Sequence, residues 1–168
     1  MRLIYAVLLV MSVSACGFTP LYETGAAKSQ LSQTISQIAV APINDNRVGQ
    51  IMHNRLSEFM YGSGGAKYTL QIKLAQTSEG YGIRGDAATT QEQMIVTASY
   101  SLMEVGVEAP VIMGELTDRV SYDLVLSDFS TVIQREDSAR RLVLQLADRI
   151  HRRVVIHLRA NNSIKEGQ

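Results

Sequence analysis

Apolar and polar residues alternate along three stretches of the chain, and that period of two is its clearest structural signal. In the first stretch Tyr68, Leu70, Ile72 and Leu74 alternate with Thr69, Gln71 and Lys73. In the second, Met94, Val96, Ala98, Tyr100 and Leu102 alternate with Thr97, Ser99 and Ser101. The third starts after Glu108-Ala109-Pro110 and runs to about Leu126, with Ile112, Leu116, Val120, Tyr122 and Leu124 on its apolar parity. Successive strand side chains point to opposite faces, so each stretch predicts a strand with one buried and one solvated side. Three in a row predict an antiparallel meander. Asp118 falls on the apolar parity of the third stretch, which predicts a bulge or a sheet rim near it.

A helical period flanks the meander on both sides. Asn44-Asp45-Asn46 is a turn and cap signal, and behind it Val48, Ile51, Met52, Leu56, Phe59 and Met60 recur at helical spacing until Gly62 and Gly64-Gly65 stop them. Near the C-terminus Ala139, Leu142, Val143, Leu146, Ala147, Ile150, Val154 and Leu158 form one stripe of a long helix spanning roughly 129–158. The short run Ile38 to Ile43, with Pro42 near its end, suits an edge strand, because proline cannot donate to a ladder. These elements predict an α+β two-layer sandwich: one mostly antiparallel four-stranded sheet, two helices packed on one face, in the order β-α-β-β-β-α. The predicted domain occupies 38–160, with a small, polar tether at 16–37 before it and a polar tail at 161–168 after it.

The first fifteen residues have a different character. Met1-Arg2 gives a positive start, Leu3 to Val13 an apolar stretch, and Ser14-Ala15 a pair of small residues before a cut. The stretch is shorter than the ~20 apolar residues a membrane-spanning helix needs. Val13-Ser14-Ala15-Cys16 has the aliphatic-small-small-Cys form of a bacterial lipobox, so residues 1–15 read as a lipoprotein signal peptide. Cys16 would then become the mature N-terminus, with a diacylglycerol on its sulfur and a third acyl chain, such as palmitate, on its amine. Each buried CH₂ contributes ~0.8 kcal/mol, so several chains anchor stably. Cys16 is also the only cysteine, which excludes an intrachain disulfide. Gly17 follows it where an aspartate would retain a lipoprotein at the inner membrane, which points to the outer membrane.

Charge changes the picture by its layout rather than its sum. Sixteen Lys and Arg balance sixteen Asp and Glu, so no global charge recommends nucleic acid as a partner. Between Glu79 and Asp128, however, nine acids meet only Arg84 and Arg119, whereas seven arginines and three acids lie between Gln134 and Arg159. A basic helix edge of this kind suits lipid phosphates or an acidic partner, although acidic loops and a basic helix can also simply complement each other. Catalytic chemistry is missing from the pattern. His53, His151 and His157 share no face, no second cysteine offers a metal cluster, and neither a phosphate-binding loop nor a Gly-x-Ser-x-Gly elbow occurs. The expectation is a protein that is not an enzyme and has no cofactor.

The run Cys16-Gly17-Phe18-Thr19-Pro20-Leu21-Tyr22 resembles the Cys-Gly-Phe-x-Pro-Leu-Tyr opening of the LptE family of proteobacterial lipopolysaccharide-assembly lipoproteins. Tyr100-Ser101-Leu102, Ser121-Tyr122 and Leu146-Ala147-Asp148-Arg149-Ile150 are similar to segments of the same family. Two positions depart from its pattern: Asp123 stands where relatives often have Asn, and Gln91 where an Arg often precedes the second meander strand. The resemblance implies an outer-membrane protein that partners the LptD barrel one to one, sits in its lumen as a plug and helps lipopolysaccharide reach the outer leaflet. It implies cationic contacts to lipopolysaccharide, for which Arg84, Arg135 and Lys73 are the candidates. A structural or trafficking lipoprotein that acts in the periplasm without a barrel is the alternative.

Overall fold

A computed structural model describes residues 26–43, 46–60, 65–83, 89–124 and 128–166. The elements are α1 (Ala26–Ser36), β1 (Ile38–Val40), α2 (Arg47–Phe59), β2 (Tyr68–Ile83), β3 (Thr89–Glu104), β4 (Pro110–Asp123) and α3 (Asp128–Glu166). Leu31–Gln168 forms one compact unit, and the description below concerns it. Its sheet has the order β1-β2-β3-β4. β1 runs parallel to β2, with Ile38 opposite Tyr68, because α2 provides the crossover between them. The other pairs are antiparallel, with Ile72 opposite Tyr100 and Tyr100 opposite Gly114.

Parity sorts the sheet as the alternation predicts. Leu70, Ile72, Met94, Val96, Ala98, Tyr100, Leu102 and Leu116 are all buried, and all lie on one face. Against them pack Met52 and Leu56 of α2 and Leu142, Val143, Leu146, Ile150 and Val154 of α3, all buried in the same core. The architecture is therefore the expected α+β arrangement of helices on one side of a mostly antiparallel sheet.

Several boundaries differ from expectation for physical reasons. A third helix, α1, lies in the segment read as a tether; Leu31 and Ile35, one turn apart, pack against the core and fix it there. β1 is shorter than the apolar run suggests. Ala41 N–H still donates to Leu70 C=O at 2.9 Å, but the next residue is Pro42, which has no donor. α3 continues to Glu166 through the segment read as a polar tail, since no Gly or Pro interrupts it. Asp118 sits in unbroken register opposite Val96, so of the two expectations it is the sheet rim that holds, since β4 is an edge strand, and not the bulge. The irregularity falls at Leu102/Met103 instead, beside a turn in which Gly106 has φ 84. Asp118 is tolerated on the helix-facing parity because Arg149 of α3 pairs with it.

The cap of α2 allows a first test. Asn46 has extended backbone, and its Oδ1 accepts the Gly49 N–H at 2.7 Å. Asn46→Ala is expected to cost about 1 kcal/mol by urea unfolding, with Asn46→Asp near neutral.

Candidate functional site

The sheet's outer face is built from the polar parity of the strands, and its side chains bond to each other across β3 and β4. Thr97 and Thr117 are directly opposite, with their hydroxyls 3.0 Å apart. Ser99 Oγ donates to Glu115 Oε2 at 3.0 Å, and Gln93 Nε2 donates to Ser121 Oγ at 3.4 Å. Gln91 Nε2 donates to Asp123 Oδ1 at 2.8 Å. The two departures from the family pattern are thus cross-strand partners. Cross-strand pairs of this type stabilise a sheet by ~0.2–1 kcal/mol each and leave a face that is polar but already largely satisfied. Lys73 belongs to this face, exposed on β2 opposite Ser99.

Arg135 lies on the other side of the sheet. It projects from the second turn of α3, where its Nη2 donates to Glu92 Oε2 at 2.7 Å and its Nε to Tyr122 Oη at 3.2 Å. Glu92 is buried on the helix-facing parity of β3. The Arg135 hydrogen bond, the largest influence on that carboxyl, holds it below the usual carboxylate range against the opposing effect of burial. Burial pushes the Tyr122 phenol up, and Glu92 in turn keeps Arg135 protonated. The charge of Arg135 is therefore largely committed within the protein. Glu92 continues the apolar parity of Met94 and Val96, as Asp118 does in the third stretch, but no spacing signals its pairing with Arg135; Tyr122 falls in a segment that resembles the family.

Beside this cluster an open groove of about 370 Å³ runs between the first turn of α2 and the second and third turns of α3. Val48, Ile51, Ile133 and Ala139 give it apolar walls, and Arg135 and Arg140 lie along it. Arg47, also at the groove, is paired with Glu136 at 2.8 Å. Farther along the helix pair, the His151 ring stacks on Phe59 with centroids 4.4 Å apart, and Arg55 lies 4.5 Å from the same Phe59 centroid while bonding Asp148 at 2.9 Å. Burial lowers the His151 pKa, so this histidine serves helix packing as a neutral ring. His157 lies 3.1 Å from the Asn161 amide.

Of the three candidate cations, the structure places Lys73 and Arg135 on opposite sides of the sheet, while Arg84 lies outside the described residues. Cys16, Gly17, Phe18, Pro20, Leu21 and Tyr22 lie outside them as well. Among the described residues no group of three or more potential metal ligands occurs, and no helix is long and apolar enough to cross a membrane.

Helices on one side of a four-stranded sheet, with a self-bonded polar face on the other, define a small α+β scaffold that presents surfaces. Solved structures share this fold. The chain aligns with a protein described as a lipoprotein of Caulobacter crescentus CB15 at 16% identity and TM-score 0.61, covering 79% of this chain and 97% of that one. Rare lipoprotein B of Shewanella oneidensis aligns at 12% identity and TM-score 0.56, covering 78% and 98%. In sequence, protein RP188 of Rickettsia prowazekii (strain Madrid E) is 22% identical over 157 residues, which is 94% of this chain and 98% of the relative. Residues 35–154 match the model of the LptE lipopolysaccharide-assembly family, and the chain belongs to that family.

Proposed function

We propose that the protein is an outer-membrane lipoprotein, anchored through acylated Cys16, whose domain docks in the lumen of the LptD barrel and assists lipopolysaccharide to the outer leaflet. Its work is binding rather than catalysis. The observation that carries this reading is the family match over residues 35–154. The outer sheet face supports the docking part. A barrel lumen is polar and wet, and the Thr97–Thr117, Ser99–Glu115 and Gln93–Ser121 pairs give the sheet a polar face that can lie against such a wall. Lys73 on that face and Arg84 are the proposed contacts for lipopolysaccharide phosphates, while Arg135 beside the groove contributes only the N–H groups that Glu92 and Tyr122 leave free.

Depletion of the protein is expected to lower both properly assembled LptD and surface lipopolysaccharide; unchanged levels of the two would refute the reading. Purification in mild detergent should give a one-to-one complex with the barrel, and recovery as a lone monomer would favour the periplasmic alternative. The anchor is tested separately. Cys16→Ala should abolish metabolic labelling with radioactive palmitate, and persistent labelling would place the lipid elsewhere.

A further inference from the structure

We propose that the free edge of β4 is a docking site for an extended segment of a partner protein, which adds to the sheet as a fifth strand and turns acidic side chains toward α3. This site is distinct from the polar face assigned to the barrel lumen and does not depend on that assignment.

The sheet order ends at β4, and among the described residues no other backbone group bonds to its outer side. β4 is fourteen residues long, so its outer edge presents a ladder of unpaired N–H and C=O groups. Exposed edges are normally guarded by an inward-pointing charge, a lysine, a proline or a bulge. Here the one proline, Pro110, stands at the strand's first position, and no irregularity interrupts the strand from Ile112 to Asp123. The one inward charge, Asp118, is neutralised by Arg149 and so does not act as a guard. The opposite edge differs. Beyond Leu70, β2 is uncovered by β1, but it carries Lys73 and then the polar, exposed run from Gln76 to Glu79.

Side chains on both flanks of β4 specify what would bind. Met113 on the outer face is 69% exposed, and Ile156 of α3 is 67% exposed. Arg149 reaches Asp118, so the residues three, four and seven positions later, Arg152, Arg153 and Ile156, follow on the β4 side of the helix. Arg152 and Arg153 are exposed and have no ion pair among the described residues, unlike Arg47, Arg55, Arg135, Arg141 and Arg149. An added strand would gain main-chain hydrogen bonds from the edge and would cover Met113 and Ile156. Its helix-side positions would face two unneutralised guanidinium groups. On the outer side Glu115 and Asp123 outnumber Arg119, which leaves no excess of positive charge there, so the complementary segment alternates acidic residues with neutral polar ones.

The test uses the full-length chain and two fluorescent ten-residue peptides, one alternating Glu with Thr and one alternating Lys with Thr. The Glu peptide should bind at least about tenfold more tightly by anisotropy. Hydrogen exchange of β4 amides should slow in its presence while those of β1 are unchanged. Arg152→Glu combined with Arg153→Glu lies on the exposed helix surface and should reverse the peptide preference with an unaltered circular dichroism spectrum. Several results overturn the proposal: binding of neither peptide at millimolar concentration, equal binding of both, Glu-peptide binding without β4 protection, or β4 protection that rises with protein concentration alone. The last would identify a second copy of the chain as the occupant.

Discussion

Gly114→Val unfolds at a markedly lower urea concentration than the parent, with a loss of about 3 kcal/mol, equivalent to roughly 10 °C in Tm for a domain of this size. Gly114 sits directly opposite Tyr100 in the β3–β4 ladder, and the Tyr100 ring lies over the glycine. A Cβ placed on Gly114 would come 2.7 Å from the Tyr100 hydroxyl oxygen and 2.9 Å from the ring carbon that bears it. Tyr100 is only 4% exposed, so the ring cannot swing into solvent without vacating its place in the core over Gly114. An isolated glycine weakens a strand, and an aromatic neighbour folded across it restores the lost packing. Valine has high strand propensity, so propensity alone predicts stabilisation. The sign of the change therefore decides between local preference and the close approach of the ring. Adding Tyr100→Leu to Gly114→Val should recover part of the loss, because the group that collides is gone; strict additivity would show that the glycine is required for another reason.

The same contrast between local pattern and distant partner explains which parts of the fold were legible. Tyr68, Leu70, Ile72 and Leu74 announced β2 because helices cover that half of the strand. From Ala75 to Tyr81 the strand continues with exposed residues on both parities, held by pairing to β3, and a period-two search has nothing to detect there. α1 was hidden for a similar reason. Leu31 and Ile35 are its apolar contacts with the core in a run otherwise rich in Ser, Gln and Thr. Asp118 suggested a bulge or a sheet rim; β4 is the rim strand, and what the pattern could not show is the partner, Arg149, which lies 31 residues away on another element. Candidate cations were visible as residue types, but their availability was not. Arg135 and Lys73 look equivalent in sequence, yet one is bound to a buried carboxylate 43 residues distant and the other stands on an exposed face.

That buried carboxylate sets the second large effect. Arg135→Ala is expected to destabilise the domain by about 2 kcal/mol at pH 7, somewhat below the range for a fully buried pair because the Arg135 side chain is 46% exposed. In the parent, Glu92 has a folded pKa below its ordinary 4.5. Its contribution to stability is therefore complete above that value and is lost as pH falls through the depressed folded pKa. Removing Arg135 deletes the largest influence that lowers the pKa and leaves burial, which raises it, against the hydrogen bonds from Tyr122 and Ser78, which lower it. The depression of the Glu92 pKa is therefore smaller in the variant, so acidification costs the variant less stability at this site than it costs the parent. The gap between the two proteins should be widest near pH 7 and should close steadily toward pH 3. Glu92→Gln in the Arg135→Ala background removes the unpaired charge, and it should restore part of the stability at pH 7 and flatten the pH dependence of the gap. A gap that stays constant from pH 7 to pH 3 would mean that Arg135 stabilises through the contacts of its aliphatic stem. Because Glu92, Tyr122 and Arg135 fasten the second turn of α3 to the sheet beside the groove, a gap that closes with acid also identifies proton uptake by Glu92 as the event that loosens that attachment.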